Sequence, residues 1–587
     1  MESWFVLIVA GCLASAMLKA FLFQKPNPKL PPGPQGFPII SSIKWLRKSL
    51  VELEAALISL RTRLGPIIRI PMGGSQSVVF ILDYDLANEA LAEKGAIFAD
   101  RPNISPITRQ LNITLAGYGP TWRTLRRNLT SLVLPACRLK EYSHSRGWAL
   151  DVLINRLSNG GGSSVKVVDY FQFAIFCLLV HMCFGGQLEE SKIKEVMAIQ
   201  RQLLVSSTRF QILNFLPRLT RILLRKRWEE FLNLRKRQQE VISPLIRARK
   251  DIVKDNVNEF TSSSVSYVDT LLNLEIQDDH SGSKRKLTED ELISACSEFL
   301  SGGTDTTLTA LQWIMANLVK YPEIQARLFD EIRGVVGAEA EHVGEEDLPE
   351  MPYLKAVVLE GLRRHPPTHF LVPHSVTQDV ELGGYLLPKN AVVNFNISEM
   401  GWDPKFWDDP MEFKPERFMP ADQGSDGQVE FDITGGREKK MMPFGAGRRM
   451  CPAFGLAILH LEYFVANLVR KFEWATATGH DVDLTENQEF TIVMKHPLHA
   501  RISPRKLSNR QPFCQCVLCI LKCCHISEAI PIWGTACQCW PRMAHASPPV
   551  CDMRGRKRGM EPASVLSYSR FFGVFFAIKT HCFTGII

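Results

Sequence analysis

The sequence predicts a mainly α-helical body with small β-sheets, preceded by a single helix long enough to cross a membrane. Three stretches carry that reading. A helical apolar pattern runs from Thr288 to about Lys320; short strand-like runs at Ile67 to Ile70 and Val78 to Leu82 are parted by Gly73-Gly74; and Trp4 to Phe23 is apolar almost throughout. With 45% hydrophobic and 22% charged residues over 587 positions, the chain is globular in composition. Its formal net charge of +8 comes from scattered basic residues rather than a stripe, which argues against a nucleic-acid partner.

At a rise of about 1.5 Å per residue, the twenty residues from Trp4 to Phe23 just span a bilayer core. A cleaved signal peptide is the competing reading, since Ala14-Ser15-Ala16 resembles a cleavage site. No basic segment precedes the apolar run, however, and the run continues past the supposed cut. Lys19, Lys25 and Lys29 follow on the carboxyl side, so residues 1–24 are expected to be an anchor that leaves the body in the cytosol. Residues 25–38, with Pro31-Pro32-Gly33-Pro34, are stiff and cannot continue a helix, so they read as a hinge between membrane and body.

Within the body, residues 39–505, a helix is expected over Leu50 to Leu64, ahead of the two strands. Another starts at Pro120 and puts Trp122 and Arg126 on one face, which is also what a solvated basic helix would show. Residues 140–250 read as helical, with a basic face from Leu223 to Arg249, and 251–286 as a polar loop. Thr288 with Glu291 forms a capping box at the head of the long helix, which spans about 47 Å. In its middle stands Gly302-Gly303-Thr304-Asp305-Thr306-Thr307, where two glycines and clustered hydroxyls weaken helix; the choice lies between a functional groove and a glycine site for close helix packing. Glu360 and Arg363 sit three apart on a helix that ends at Pro366-Pro367. Strands are expected between Val380 and Ile397, turning at Gly383-Gly384 and near Asn390. Ala421 to Lys440 reads as a surface loop. Asn112-Ile113-Thr114 and Asn128-Leu129-Thr130 match glycosylation sequons, but a cytosolic body makes them chance matches.

The stretch Phe444-Gly445-Ala446-Gly447-Arg448-Arg449-Met450-Cys451-Pro452-Ala453 places one cysteine at the end of a glycine-built loop, directly before an apolar helical run from about Phe454. Gly445 and Gly447 permit turns closed to other residues and close approach to a flat ligand. Arg448, Arg449 and the helix start would lower the thiol pKa. A lone cysteine is otherwise most often a small buried hydrophobe.

The string F-x-x-G-x-R-x-C-x-A resembles the haem-binding loop of the cytochrome P450 superfamily, except that Ala453 stands where the family usually has glycine. Four further motifs fall in the family's order across about residues 30–505: W-x-x-x-R at Trp122 and Arg126, G-G-T-D-T-T at 302–307, E-x-x-R at Glu360 and Arg363, and Pro415-Glu416-Arg417-Phe418. The resemblance, closest to plant-type microsomal members, implies the cytochrome P450 fold and a haem b group ligated by the Cys451 thiolate. Trp122, Arg126, His374, Phe444, Gly447 and Arg449 would also hold the haem. Thr306 would stand beside bound dioxygen with an ordered water, Asp305 would relay protons, and Glu360, Arg363 and Arg417 would form a structural ion network. It further implies an endoplasmic reticulum monooxygenase, single-pass with its catalytic domain on the cytosolic face. NADPH-cytochrome P450 reductase would supply electrons from NADPH, docking near Lys439, Lys440 and Arg448, and a small, largely apolar substrate would enter from the membrane. The pocket would draw on residues near 100–118, 203–215, 370–373 and 490–495, with Phe370, Leu371 and Val372 in its lining. The alternatives are a haem-thiolate isomerase or dehydratase, which needs no reductase, and a non-catalytic haem-binding protein.

Six of the fifteen cysteines precede residue 505, far apart and unpatterned, as in a reducing compartment. Nine crowd into 506–587, where no zinc-finger spacing of Cys and His recurs. That extension lies outside the resemblance and is expected to be disordered or non-native, a metal site among its cysteines being the lesser alternative.

Overall fold

The computed structural model describes most of residues 29–505, excepting 35–44, 46–47, 72–76, 103–111, 161–163, 211–212, 214–216, 256–264, 278–281, 420–440 and 478–480. The expected anchor, most of the hinge, the 421–440 loop with Lys439 and Lys440, and the cysteine-rich extension lie outside the described residues.

Among the described residues, ten helices of nine residues or more carry the body: α1 Leu50–Leu64, α2 Pro120–Asn128, α3 Ser143–Asn159, α4 Val167–Phe184, α5 Glu190–Phe210, α6 Arg225–Asp255, α7 Glu289–Lys320, α8 Pro322–Val336, α9 Pro352–Arg364 and α10 Phe454–Lys471. The element that organises them is α7. Thr288 caps it, its hydroxyl accepting the Glu291 N–H while the Glu291 carboxylate takes the Thr288 N–H at 2.8 Å, and Pro322 ends it. From Leu308 to Val319 every residue of α7 is buried, with α4, α9 and α10 packed around it. Among the described residues, α4 is the helix apolar and long enough to cross a membrane. Thirteen of its 18 residues are buried inside the body, which makes it a core helix.

The strands are short and placed where helices leave edges. Among the described residues they are β1 Ile67–Pro71, β2 Ser77–Ile81, β3 Val165–Lys166, β4 His374–Ser375, β5 Val392–Phe395, β6 Phe472–Thr476, β7 Glu486–Gln488, β8 Ile492–Met494 and β9 His499–Pro504, and two further hairpins pair Glu275–Gln277 with Lys284–Lys286 and Val380–Leu382 with Tyr385–Leu387. The largest sheet runs β1-β2-β5-β4, with β2 and β5 parallel and the outer pairs antiparallel. This sheet positions His374 opposite Val393. A second sheet runs β6-β9-β3, and β7 pairs with β8 as a hairpin. Asn390 takes the expected left-handed conformation at φ 65°.

Residues 251–286 are not one loop. α6 continues to Asp255, Ser266 and Asp269 form a capping box on a helix over Tyr267–Leu272, and Glu275–Gln277 pairs with Lys284–Lys286. Both sequons are engaged in the fold: Asn128 is buried against Thr270, and Asn112 caps the Leu115 N–H at 2.8 Å.

The expected ion network is present. Arg363 grips Glu360 with two N–H···O bonds of 2.7 and 2.8 Å, both side chains being fully buried, and Arg417 reaches the same carboxylate at 3.3 Å. Remaining donors of Arg363 are taken by the Gly401, Pro410 and Glu412 carbonyls, so the pair is hydrogen-bonded on all sides as a buried charge must be.

Candidate active site

The cysteine loop is closed by backbone. Cys451 N–H donates to the Phe444 carbonyl at 2.9 Å, and Gly445 N–H to Met442 at 2.9 Å. Gly445 and Gly447 have φ of 71° and 67°, as the turns demand. At Gly447 the constraint comes from protein: a Cβ there would lie 1.8 Å from the Leu91 carbonyl oxygen. Ala453 sits at φ −105°, open to any residue, so the alanine in place of glycine costs no backbone strain. Phe444, half-buried, lies tilted against Phe454 at the head of α10, with ring centroids 6.4 Å apart.

The expected electrostatics of Cys451 need correction. Burial pushes the thiol up, and the opposing influences are the Ala453 N–H and the Arg126 guanidinium. Neither neighbouring arginine serves. Arg448 points outward to the Tyr118 hydroxyl, and Arg449 is spread over three carbonyls: Ala99 at 2.6 Å, Ile113 at 3.1 Å and Ala116 at 2.6 Å. The cation that acts comes from α2, because Arg126 donates to the Met450 carbonyl at 2.6 Å and so stands beside the sulfur.

Around that point the fold gathers positive charge. Trp122, buried on α2, donates its indole N–H to Ile113 at 3.0 Å and lies under both Arg449 (4.3 Å) and Arg126 (6.0 Å). Arg101, absent from the sequence expectations, is buried and donates to Thr114 at 2.8 Å, Val372 at 2.8 Å and Pro373 at 3.0 Å. His374 is buried, with Nδ1 2.7 Å from the Phe98 carbonyl. Burial, first, and mutual repulsion depress these cations: Arg101 to about 9 with Arg449 nearby, Arg449 to about 10, and His374 to about 3 beside Arg101 and Arg449. The acid in contact with them is Asp100, whose carboxylate accepts the Arg101 and Tyr118 backbone N–H groups. Three desolvated guanidiniums against one carboxylate form a site for added negative charge. The only signal in the sequence was a lone charged pair, Asp100-Arg101, between apolar residues and proline.

On α7, Glu298, Gly302 and Thr306 share one face at intervals of four, and Glu298 reaches the Ile113–Thr114 loop that also receives Arg449 and Arg101. Gly302 is exposed in mid-helix, and a Cβ there would meet nothing within 4 Å. Gly303 does the reverse, for a Cβ would lie 2.9 Å from Leu179 of α4. The two readings of the glycine pair therefore divide between adjacent residues: Gly303 serves helix packing, and Gly302 opens space. Thr306 borders that space, its hydroxyl donating to the Gly302 carbonyl at 2.7 Å. Asp305 turns away, buried, to Arg201 of α5 at 2.5 Å, and the other arm of Arg201 holds Glu489 at 2.6 Å in the β7–β8 turn. Leu371 comes within 3.5 Å of the Cβ position at Gly445, whereas Phe370 packs edge-on against Phe80 in the sheet.

The family profile described as Cytochrome P450 matches residues 31–503. The chain belongs to the cytochrome P450 family. Among relatives of this P450, cytochrome P450 89A9 of Arabidopsis thaliana is 47% identical over 515 residues, covering 85% of this chain and 98% of its own. A tryptamine 5-hydroxylase of Oryza sativa subsp. japonica is 31% identical over 82% of this chain and 91% of its own, and a flavonoid 3'-monooxygenase of Arabidopsis thaliana is 27% identical over 87% and 99%. A zebra fish cytochrome P450 solved with progesterone matches at a TM-score of 0.61 and 24% identity, over 77% of this chain and 99% of that one, and shares the fold. The enzyme is accordingly a P450 monooxygenase, and its family implies haem held by a cysteine thiolate. The residues present fit that group: a half-buried free thiol, a cluster of three guanidiniums with one carboxylate among them, and open space beside Gly302.

Proposed function

We propose that this P450 is anchored in the endoplasmic reticulum membrane by residues 1–24 with its catalytic body in the cytosol, and that it inserts one oxygen atom of O2 into a small, largely apolar substrate. NADPH-cytochrome P450 reductase supplies the electrons, docking on the cysteine side where Arg448 and Arg123 are exposed. The observation that carries the reading is the occurrence together of Gly302's open face and Thr306 on α7 and a thiol set among guanidiniums that outnumber their one carboxylate.

When bound, haem b supplies the dioxygen chemistry, and thiolate ligation favours O–O cleavage. Cys451 is its ligand, in the loop shaped by Phe444 and Gly447. Arg126, Arg449 and His374, joined by Arg101, would hold its two carboxylates, for which arginine's fixed donor fork is suited, and Trp122, its indole N–H engaged by Ile113, would support Arg449 and Arg126 from beneath. Thr306 positions a proton at its hydroxyl oxygen, and Asp305 passes protons inward from the side where Arg201 and Glu489 reach solvent. The relatives named for a flavonoid and for tryptamine support a role in plant secondary metabolism. Residues 506–587 lie beyond the catalytic domain and are dispensable to it, so protein cut after Arg505 retains its haem spectrum.

Reconstitution with reductase and NADPH tests the reading. Substrate-dependent consumption of NADPH and O2 with a product heavier by one oxygen is expected. Turnover without NADPH would instead mark an isomerase or dehydratase, and haem binding without turnover a carrier.

A further inference from the structure

Glu298 stands eight positions before Thr306 on the face of α7 that borders the site, and the proton route does not use it. Its carboxylate reaches across to the 112–116 loop, accepting the backbone N–H groups of Ile113 at 2.8 Å and Thr114 at 2.7 Å together with the Thr114 hydroxyl. The Thr114 N–H and the Ile113 carbonyl belong to one peptide unit. At its other end that carbonyl accepts Arg449 at 3.1 Å and the Trp122 indole at 3.0 Å. The next carbonyl, of Thr114, accepts Arg101 at 2.8 Å. One planar peptide thus bridges a carboxylate and a guanidinium, and each charge polarises it toward the other.

Half-burying a carboxylate costs free energy unless its donors are well placed, and burial does push this carboxyl up against the pull of its three donors. The donors hold a loop whose carbonyls aim Arg101, which is buried, and Arg449, which is half-buried. We propose that Glu298 is a positioning residue for the haem, keeping Arg449 and Arg101 aligned in the cation cluster through the Ile113–Thr114 peptide. This rests on the reading of that cluster as the seat of the haem carboxylates. Removing such an outer partner typically weakens binding about tenfold or more.

The test is the rate of haem transfer from full-length holoprotein to excess apomyoglobin. Glu298→Gln is expected to speed haem loss about tenfold while the carbon monoxide adduct of the reduced protein stays thiolate-type, since Cys451 is untouched. In the double variant with Arg449→Ala, haem loss is expected to be little faster than for Arg449→Ala alone, because both act through one path. Additive effects, or a Glu298→Gln rate within twofold of wild type while Arg449→Ala is fast, would overturn the proposal. If Arg449→Ala itself retains haem normally, the cluster reading fails instead, and the role of Glu298 with it. Should Glu298→Gln not fold, Thr114→Val removes only the hydroxyl contact; haem loss about threefold faster is expected, and an unchanged rate overturns the proposal.

Discussion

Asp305 and Arg201, 104 positions apart in the chain, are joined at 2.5 Å, and the same guanidinium holds Glu489. Burial raises the Asp305 carboxyl, Arg201 lowers it and Glu489 raises it again. If Asp305 must be ionised to accept protons, the acidic limb of the pH–rate profile reports this balance. Arg201→Met should move that limb to higher pH and Glu489→Gln to lower pH. Shifts of the same sign in both variants would separate Asp305 from the limb.

Thr306 is the polar side chain at the open face of Gly302. Thr306→Ala should keep NADPH consumption but cut product per NADPH by roughly tenfold or more, the scale of a lost proton-transfer partner. Thr306→Ser, which keeps the hydroxyl, should recover most of the coupling. Chemistry unchanged in Thr306→Ala would refute its role.

The Glu360–Arg363 pair is structural. Glu360→Ala leaves a buried guanidinium uncompensated and should destabilise the body by about 3 to 5 kcal/mol, read by chemical denaturation. A loss under about 1 kcal/mol would mean that the pair contributes little.

His369 lies between two carboxylates, Glu54 at 2.7 Å and Glu486 at 3.3 Å, which raise it to about 9 despite burial, while His365 beside it falls to about 4, chiefly through burial. A raised histidine stabilises fully below its unfolded pKa, about 6.5, and loses that contribution as pH rises through about 9. The Tm gap between wild type and His369→Asn should therefore be widest below about pH 6.5 and shrink as pH rises through about 9. A constant gap would show that His369 does not titrate there.

What was legible in the sequence was local or ordered along it. The Thr288–Glu291 box, the Pro322 stop, the Glu360–Arg363 spacing and the left-handed Asn390 follow from neighbours three or four residues away. The fold class followed from periodicity, and the loop around Cys451 from its glycines. Glu298 at Ile113, Arg101 at Val372 and His369 at Glu54 join residues 185, 271 and 315 positions apart, and no spacing encodes such contacts. The thiol's surroundings were misjudged for the same reason: Arg448 and Arg449 adjoin Cys451 in sequence, but the backbone turns their side chains to other partners, and Arg126 arrives from α2.

Everything turns on Cys451 as the haem ligand. The carbon monoxide difference spectrum of the reduced, full-length protein tests it most directly. Wild type should show the red-shifted, thiolate-type Soret band, and Cys451→Ser should lose it. A wild-type spectrum without that band, or a Cys451→Ser spectrum that keeps it, would contradict the account.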